Sequence, residues 1–215
     1  MAVKPGIYEC IFSPRAFQEL LEPLRHHFDL YLYQKGKSVL SGSIGKQIFS
    51  EHFSLLDDVT HSGQFGVPFD VEGTPRPKVK LIERGVLKNL VSEGHSMKGI
   101  LEHPICPGNL VVEKGTETFS KMIRGIRKGI FINKIWYHTL VREQNMEVTG
   151  LATAGSLYVE GGQVQGRALH LRYHDSLFSV LRSVSDTSRE QILLKDSGWG
   201  ASLFPYIRVS RFRVV

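Results

Sequence analysis

The stretch from Gly63 to Gly94, GQFGVPFDVEGTPRPKVKLIERGVLKNLVSEG, restricts the fold more than any other part of the chain. It reads as a chain reversal followed by a hairpin. Phe65 to Phe69 is apolar but interrupted by Gly66 and Pro68. Asp70, Glu72, Gly73, Pro75 and Pro77 then form a dense turn cluster. Val79, Leu81 and Ile82 make a short run of strand formers closed by Arg84-Gly85. Val86, Leu87, Leu90 and Val91 form the returning arm.

At 215 residues the chain is long enough to bury roughly 70% of its unfolded surface in one domain, with no need of staples. Cys10 and Cys106 are its only cysteines. They make neither a disulfide framework nor a zinc spacing, and each reads as a small buried apolar residue. The N-terminus, MAVKPGIYECIF, lacks a basic segment followed by an apolar core. No run approaches the ~20 apolar residues of a membrane span. A soluble, cytoplasmic protein with no membrane contact is expected. The net charge of +6 is dispersed, with Lys121, Arg124, Arg127, Lys128, Arg208, Arg211 and Arg213 among its sources. No basic motif is interleaved with aromatics, so no nucleic-acid partner is expected.

In chain order, Gly6 to Phe12 reads as a strand. Ser13-Pro14 supplies an N-cap and first helical residue. Phe17, Leu20, Leu21 and Leu24 give a helix from Arg15 to about Phe28, which Pro23 should kink or shorten. Strands follow at Leu30 to Gln34, Phe53 to Asp58 and Leu110 to Val112. Gly45-Lys46 lacks the partners of a phosphate-binding loop. Asp57-Asp58 reads as a solvated turn. Thr116 opens a helix with an apolar face at Phe119, Met122, Ile123 and Ile126, and Gly129 caps it. Val141 to Val148 is a loop or hairpin arm, and Thr149 to Tyr158 a strand rich in small residues. Glu160 to Gln163 is a tight turn. A helix capped by Asp175 spans His174 to Ser185, and Phe204 to Val214 is an alternating strand. His170 and His174 straddle a strand–helix boundary, so they do not form a metal pair.

Phe69-Asp70-Val71-Glu72-Gly73 followed by Leu81-Ile82-Glu83-Arg84-Gly85-Val86-Leu87 resembles the C-terminal domain of the TldD/PmbA family. The likeness continues through Pro107-Gly108-Asn109-Leu110, Thr149 to Val164, and the terminal strand. It implies one domain of C-terminal type over residues 1–215, without the family's N-terminal domain. The implied fold is α+β: a large curved antiparallel sheet, barrel- or sandwich-like, with two or three packed helices.

Catalytic members of the family carry His-Glu-x-x-x-His on the helix and a Cys-Gly near the end, which hold zinc. Here Glu22, Pro23 and His27 fall on the helical positions and Ser197-Gly198 on the pair. Proline cannot act as a base, and a serine hydroxyl is a poor zinc ligand. The resemblance therefore implies a non-catalytic subunit of a two-subunit zinc peptidase, with no cofactor of its own and zinc in the partner. That partner would be a TldD-like zinc-bearing homologue in a heterodimer, or the chain would form a homodimer. The resemblance also implies an extended peptide lying in a groove walled by Asp70, Glu72, Thr149, Thr153, Ala154 and Ser156. Two alternatives stay open. One is an active metallopeptidase with a site rebuilt from Glu22, His26 and His27. The other is a peptide- or small-molecule-binding protein without hydrolysis.

Overall fold

The computed structural model describes residues 2–69, 73, 75–91, 108–152, 155–169, 171–195 and 200–215. The strands among them are β1 (Gly6–Phe12), β2 (Leu55–Asp57), β3 (Val79–Glu83), β4 (Val86–Leu87), β5 (Leu110–Val112), β6 (Lys128–Ile132) and β7 (Ile135–Arg142). They continue as β8 (Glu147–Ala152), β9 (Leu157–Glu160), β10 (Gln163–Arg167), β11 (Leu171–Ser176), β12 (Val184–Lys195) and β13 (Ala201–Val214). The helices are α1 (Pro14–Arg25), α2 (Leu30–Gln34), α3 (Phe119–Arg124) and α4 (Leu177–Arg182), with a 3-10 turn at His26–Phe28 after α1.

All the strands join one sheet, in the order β10-β9-β6-β1-β13-β5-β2-β3-β4. A branch β7-β8-β11 and the strand β12 also pair onto β13. The fold is α+β, as expected, but the sheet is mixed rather than wholly antiparallel: β1 runs parallel to β6 and β13 parallel to β5. Parallel neighbours need long crossovers, and the chain between β1 and β6 supplies one. The terminal strand is the sheet's hub. Its arms pair with β1 from Gly6↔Val214 to Phe12↔Ile207 and with β12 from Val184↔Val209 to Lys195↔Ala201.

Alternation along the central strands serves two cores. Cys10, Phe12, Ile130 and Ile132 face α1, whose Phe17, Leu20, Leu21 and Leu24 are fully buried against them. Ile11 and Phe131 face the other way, under Met122 and Ile126 from α3 and the turn after it. Phe12 meets Phe17 and Phe212 edge-on, with ring centroids 6.0 and 5.0 Å apart. Such pairs add to the area term that dominates the core.

The Ser13 side chain accepts from Ala16 N, and Pro14 opens α1. The helix passes through Pro23 as far as Arg25 and then tightens into the 3-10 turn. The N–H that proline lacks costs one bond close to the helix end, so the helix is shortened rather than broken.

Several expectations are corrected. Leu30–Gln34 is a helix, not a strand. Asp29 accepts from Leu32 N at 2.7 Å, and this cap outweighs the strand preference of the two tyrosines. Thr118, not Thr116, caps α3, and Gly125 ends it. Gly129 lies inside β6, where a Cβ would run into the Glu9 carbonyl of the neighbouring strand. Ser176 caps α4, while Asp175 stays in β11 and accepts from Arg213 N and Ser176 N.

The stretch Thr149 to Tyr158 is two strands, β8 and β9, separated at Gly155 (φ +91°) and paired to different neighbours. Val141–Val148 joins β7 to β8 in a hairpin. Asp57 and Asp58 are buried, not solvated: Arg76 holds the first and Lys78 the second. The Gly161-Gly162 turn has both residues at positive φ, +59° and +72°, as a tight hairpin between right-twisted strands requires.

Candidate functional site

The polar face of α1 carries Arg15, Gln18, Glu19, Glu22 and Arg25 at helical spacing, opposite its buried leucines. With His138 from β7 and Lys195 from the end of β12, these residues line a cleft of about 360 Å³. Arg15 Nε donates to Glu19 Oε1 at 3.1 Å, and its Nη1 reaches Gln18 Oε1 at 3.2 Å and the Lys195 carbonyl at 3.4 Å. Glu19 Oε2 accepts from Ile135 N at 3.1 Å, so one carboxylate ties α1 to the start of β7. Arg25 Nη1 holds Glu22 Oε2 at 3.0 Å.

His138 closes the inner wall. Its Nδ1 lies 2.7 Å from the hydroxyl of Tyr173, which is buried in β11. Burial pushes the imidazole down to about 4, against smaller raising effects from the Leu20 carbonyl and Glu22. Burial pushes the Tyr173 hydroxyl up, with Glu19 adding to it. Both groups are neutral at pH 7. The Leu20 carbonyl favours a hydrogen on the imidazole, so we assign the tautomer in which Tyr173 donates to Nδ1 and Nε2 keeps its hydrogen. Nε2 is buried without a hydrogen bond of ordinary geometry.

The structure separates Glu22 from the two histidines grouped with it in the sequence. Glu22 faces the cleft, whereas His26 and His27 gather with Glu143 from the β7–β8 turn, their ligand atoms within 4.8 Å of one another. These residues do not fit a metal. His27 is fully buried, and its Nδ1 accepts from Val39 N at 3.3 Å. The ring hydrogen therefore sits on Nε2, 3.6 Å from Glu143 Oε1, where a metal would need a lone pair. Burial, then the neighbouring His26, pushes His27 down to about 4. Glu22 is held by an arginine, and Pro23 follows it.

Of the expected groove residues, Asp70, Glu72, Thr153 and Ala154 lie outside the described residues, as do Cys106, His170 and Ser197-Gly198. Thr149 Oγ1 donates to the Tyr173 carbonyl at 2.9 Å, behind the His138 pair. Ser156 is buried and accepts from Asn133 N at 3.4 Å. Neither lines the α1 cleft. Cys10 is buried and its thiol is pushed up, chiefly by that burial, so it is inert.

Arg15, Gln18, Glu19, Arg25, His138 and Lys195 were not singled out from sequence. The stripe on α1 was legible as the back of an amphipathic helix. Nothing local marks His138 or Lys195, which strand pairing alone brings to it.

A family model for the PmbA/TldA metallopeptidase C-terminal domain matches residues 5–215. The chain belongs to this family. TldE from Thermococcus kodakarensis shares the fold, with a TM-score of 0.88 over 100% of this chain and 51% of that one, at 24% identity. An uncharacterized protein of Methanocaldococcus jannaschii is 34% identical over 119 residues, which cover 48% of this chain and 29% of that protein. A metalloprotease of Methanothermobacter thermautotrophicus is 29% identical over 124 residues, covering 52% and 27%. This chain thus covers about half of the solved relative's length, and its matches cover under a third of each of these curated relatives.

Proposed function

We propose that this chain is a non-catalytic, TldE-like subunit of a two-chain zinc peptidase acting on extended peptides or a peptide-like biosynthetic intermediate. The observation that carries the reading is the state of α1. Where the family resemblance expects a zinc-binding, water-activating motif, this helix holds Glu22 in an ion pair with Arg25 and continues with Pro23. The donor set at His26, His27 and Glu143 has its key nitrogen protonated. A catalytic partner would supply the zinc.

A partner surface has support beside the cleft. Trp136 and Tyr137 are 58% and 70% exposed on β7, which pairs only with β8 among the described residues. Tyr137 also has φ +58°, a strained conformation for an aromatic residue that the surroundings must hold. Large exposed aromatics at an open edge fit coverage by another chain. The function is exercised in the cytoplasm on this reading.

Co-expression with a family member carrying the intact His-Glu-x-x-x-His motif tests the proposal. The expected result is a stable complex on size exclusion, with peptidase activity that the chain alone lacks. A chain that stays apart from every such homologue and binds peptides unaided supports the reading of a binding protein without hydrolysis.

A further inference from the structure

The outer face of the sheet is covered at one end and exposed at the other. At the covered end, Ile11 and Phe131 lie under Met122 and Ile126. At the other end, Tyr173 and Val214 are register partners buried in the main core. Arg172 and Arg213, one position away on β11 and β13, therefore point outward, and both are exposed. Register carries this face to the neighbouring strands. Arg172 pairs with Leu151, Leu151 with Trp136, and Arg213 with Ile7. Ile7, Trp136 and Leu151 are all exposed. So is Tyr137, which meets Trp136 edge-on with ring centroids 5.1 Å apart.

The composition of this face is that of an interface centre. Tryptophan, tyrosine and arginine are enriched at such centres, and lysine and the carboxylates are depleted. Arg172 and Arg213 make no ion pair among the described residues. Glu9 and Glu147, the carboxylates that alternation places on the same face, are already held by Arg208 at 2.6 Å and Arg142 at 3.7 Å. Among the described residues the face thus offers apolar area, two unpaired positive charges and no unpaired negative one. We propose that it seats the zinc-bearing homologue of the two-chain reading, through an apolar strip on the homologue whose flanking carboxylates meet Arg172 and Arg213. The identity of the partner rests on that reading, and the chemistry of its surface on the charges here. A second copy of this chain is disfavoured, because each copy carries a net charge of +6 and the same two uncompensated arginines. The contact between Trp136 and Tyr137 orders both rings before binding, which lowers the cost of fixing them in a complex.

The test titrates the full chain with a purified homologue carrying the intact His-Glu-x-x-x-His motif and reads the dissociation constant. Trp136→Ser and Arg172→Glu are each expected to weaken the complex about tenfold or more. Tyr31→Ser removes an exposed aromatic from α2, off this face, and should stay within about twofold. Raising the salt from about 0.05 to 0.5 M should weaken the unaltered complex several-fold, and the Arg172→Glu complex by less. Unfolding midpoints check that each variant is folded. A complex that either Trp136→Ser or Arg172→Glu leaves unchanged overturns the proposal, and the two-chain reading then stands without it. A homodimer of this chain that Trp136→Ser dissolves also overturns it, because a second copy then holds the face. Binding of a single-stranded oligonucleotide that both variants abolish does the same. Failure of the unaltered chain to bind any such homologue overturns this proposal together with the two-chain reading.

Discussion

Tyr173 Oη and His138 Nδ1 are 2.7 Å apart, and this contact couples the cleft wall to the β8–β11 ladder. Thr149 fixes the backbone behind it by donating to the Tyr173 carbonyl. The cleft's inner wall is therefore set by strand pairing and one buried hydrogen bond. Replacing Tyr173 by Phe leaves a buried imidazole nitrogen without its partner. The expected loss is about 1–3 kcal/mol in chemical denaturation, the range for an orphaned buried polar group. An unchanged midpoint would show that His138 finds another partner at once.

The two low-titrating histidines give a pH signature. His27 and His138 are each held at about 4 in the folded chain, against about 6.5 when unfolded. Between these values the unfolded chain binds the extra protons. Stability should thus be full above about pH 6.5 and fall as the pH drops towards 4, with a slope of up to about 1.4 kcal/mol per pH unit for each group. Denaturation midpoints across about pH 4 to 7.5 measure this. The His27→Gln and His138→Gln variants should each flatten the slope, and a slope insensitive to both would contradict the assignment.

Pro23 removes one helical hydrogen bond from α1 without ending the helix. Pro23→Ala should raise stability by about 1–2 kcal/mol, the recovered propensity less the unfolded-state advantage of proline. Thermal unfolding checks it, and a lower Tm would mean that the ring fills space the alanine leaves empty.

Asn109 is fully buried and works in four directions. Its N–H donates to Asp57 Oδ1 at 2.8 Å, its Oδ1 accepts from Arg76, and its Nδ2 reaches the carbonyls of Phe65 and Ala201. It pins the loop before Phe69 to the start of β13. Asn109→Ala should cost about 2–4 kcal/mol, since several buried groups lose a partner together. Proteolysis should then cut first between Asp58 and Phe69, and a resistant loop would count against the pin.

The sequence was legible where local signals and tertiary demands agree. Gly6–Phe12 and Leu110–Val112 came out residue for residue, because their apolar runs have no competing cap. The Gly161-Gly162 turn was legible because its chemistry fixes its geometry. Leu30–Gln34 was misread because one side chain, Asp29, decides the backbone there. The break at Gly155 was missed because small residues on both sides suit either a strand or a turn. The polar stripe of α1 was visible, but its meaning depends on His138 and Lys195. Those two residues stand far from the helix along the chain and belong to no local pattern, and only the β7 and β12 pairings deliver them.

The central claim is that this subunit leaves zinc chemistry to a partner. The most direct measurement is the zinc content of the purified chain alone and of its complex with a family member carrying the intact motif. We expect no stoichiometric zinc on the chain alone and about one zinc per complex, lost when the partner's motif is mutated. About one zinc held tightly by the chain alone, and removed by His26→Gln or His27→Gln, would contradict it.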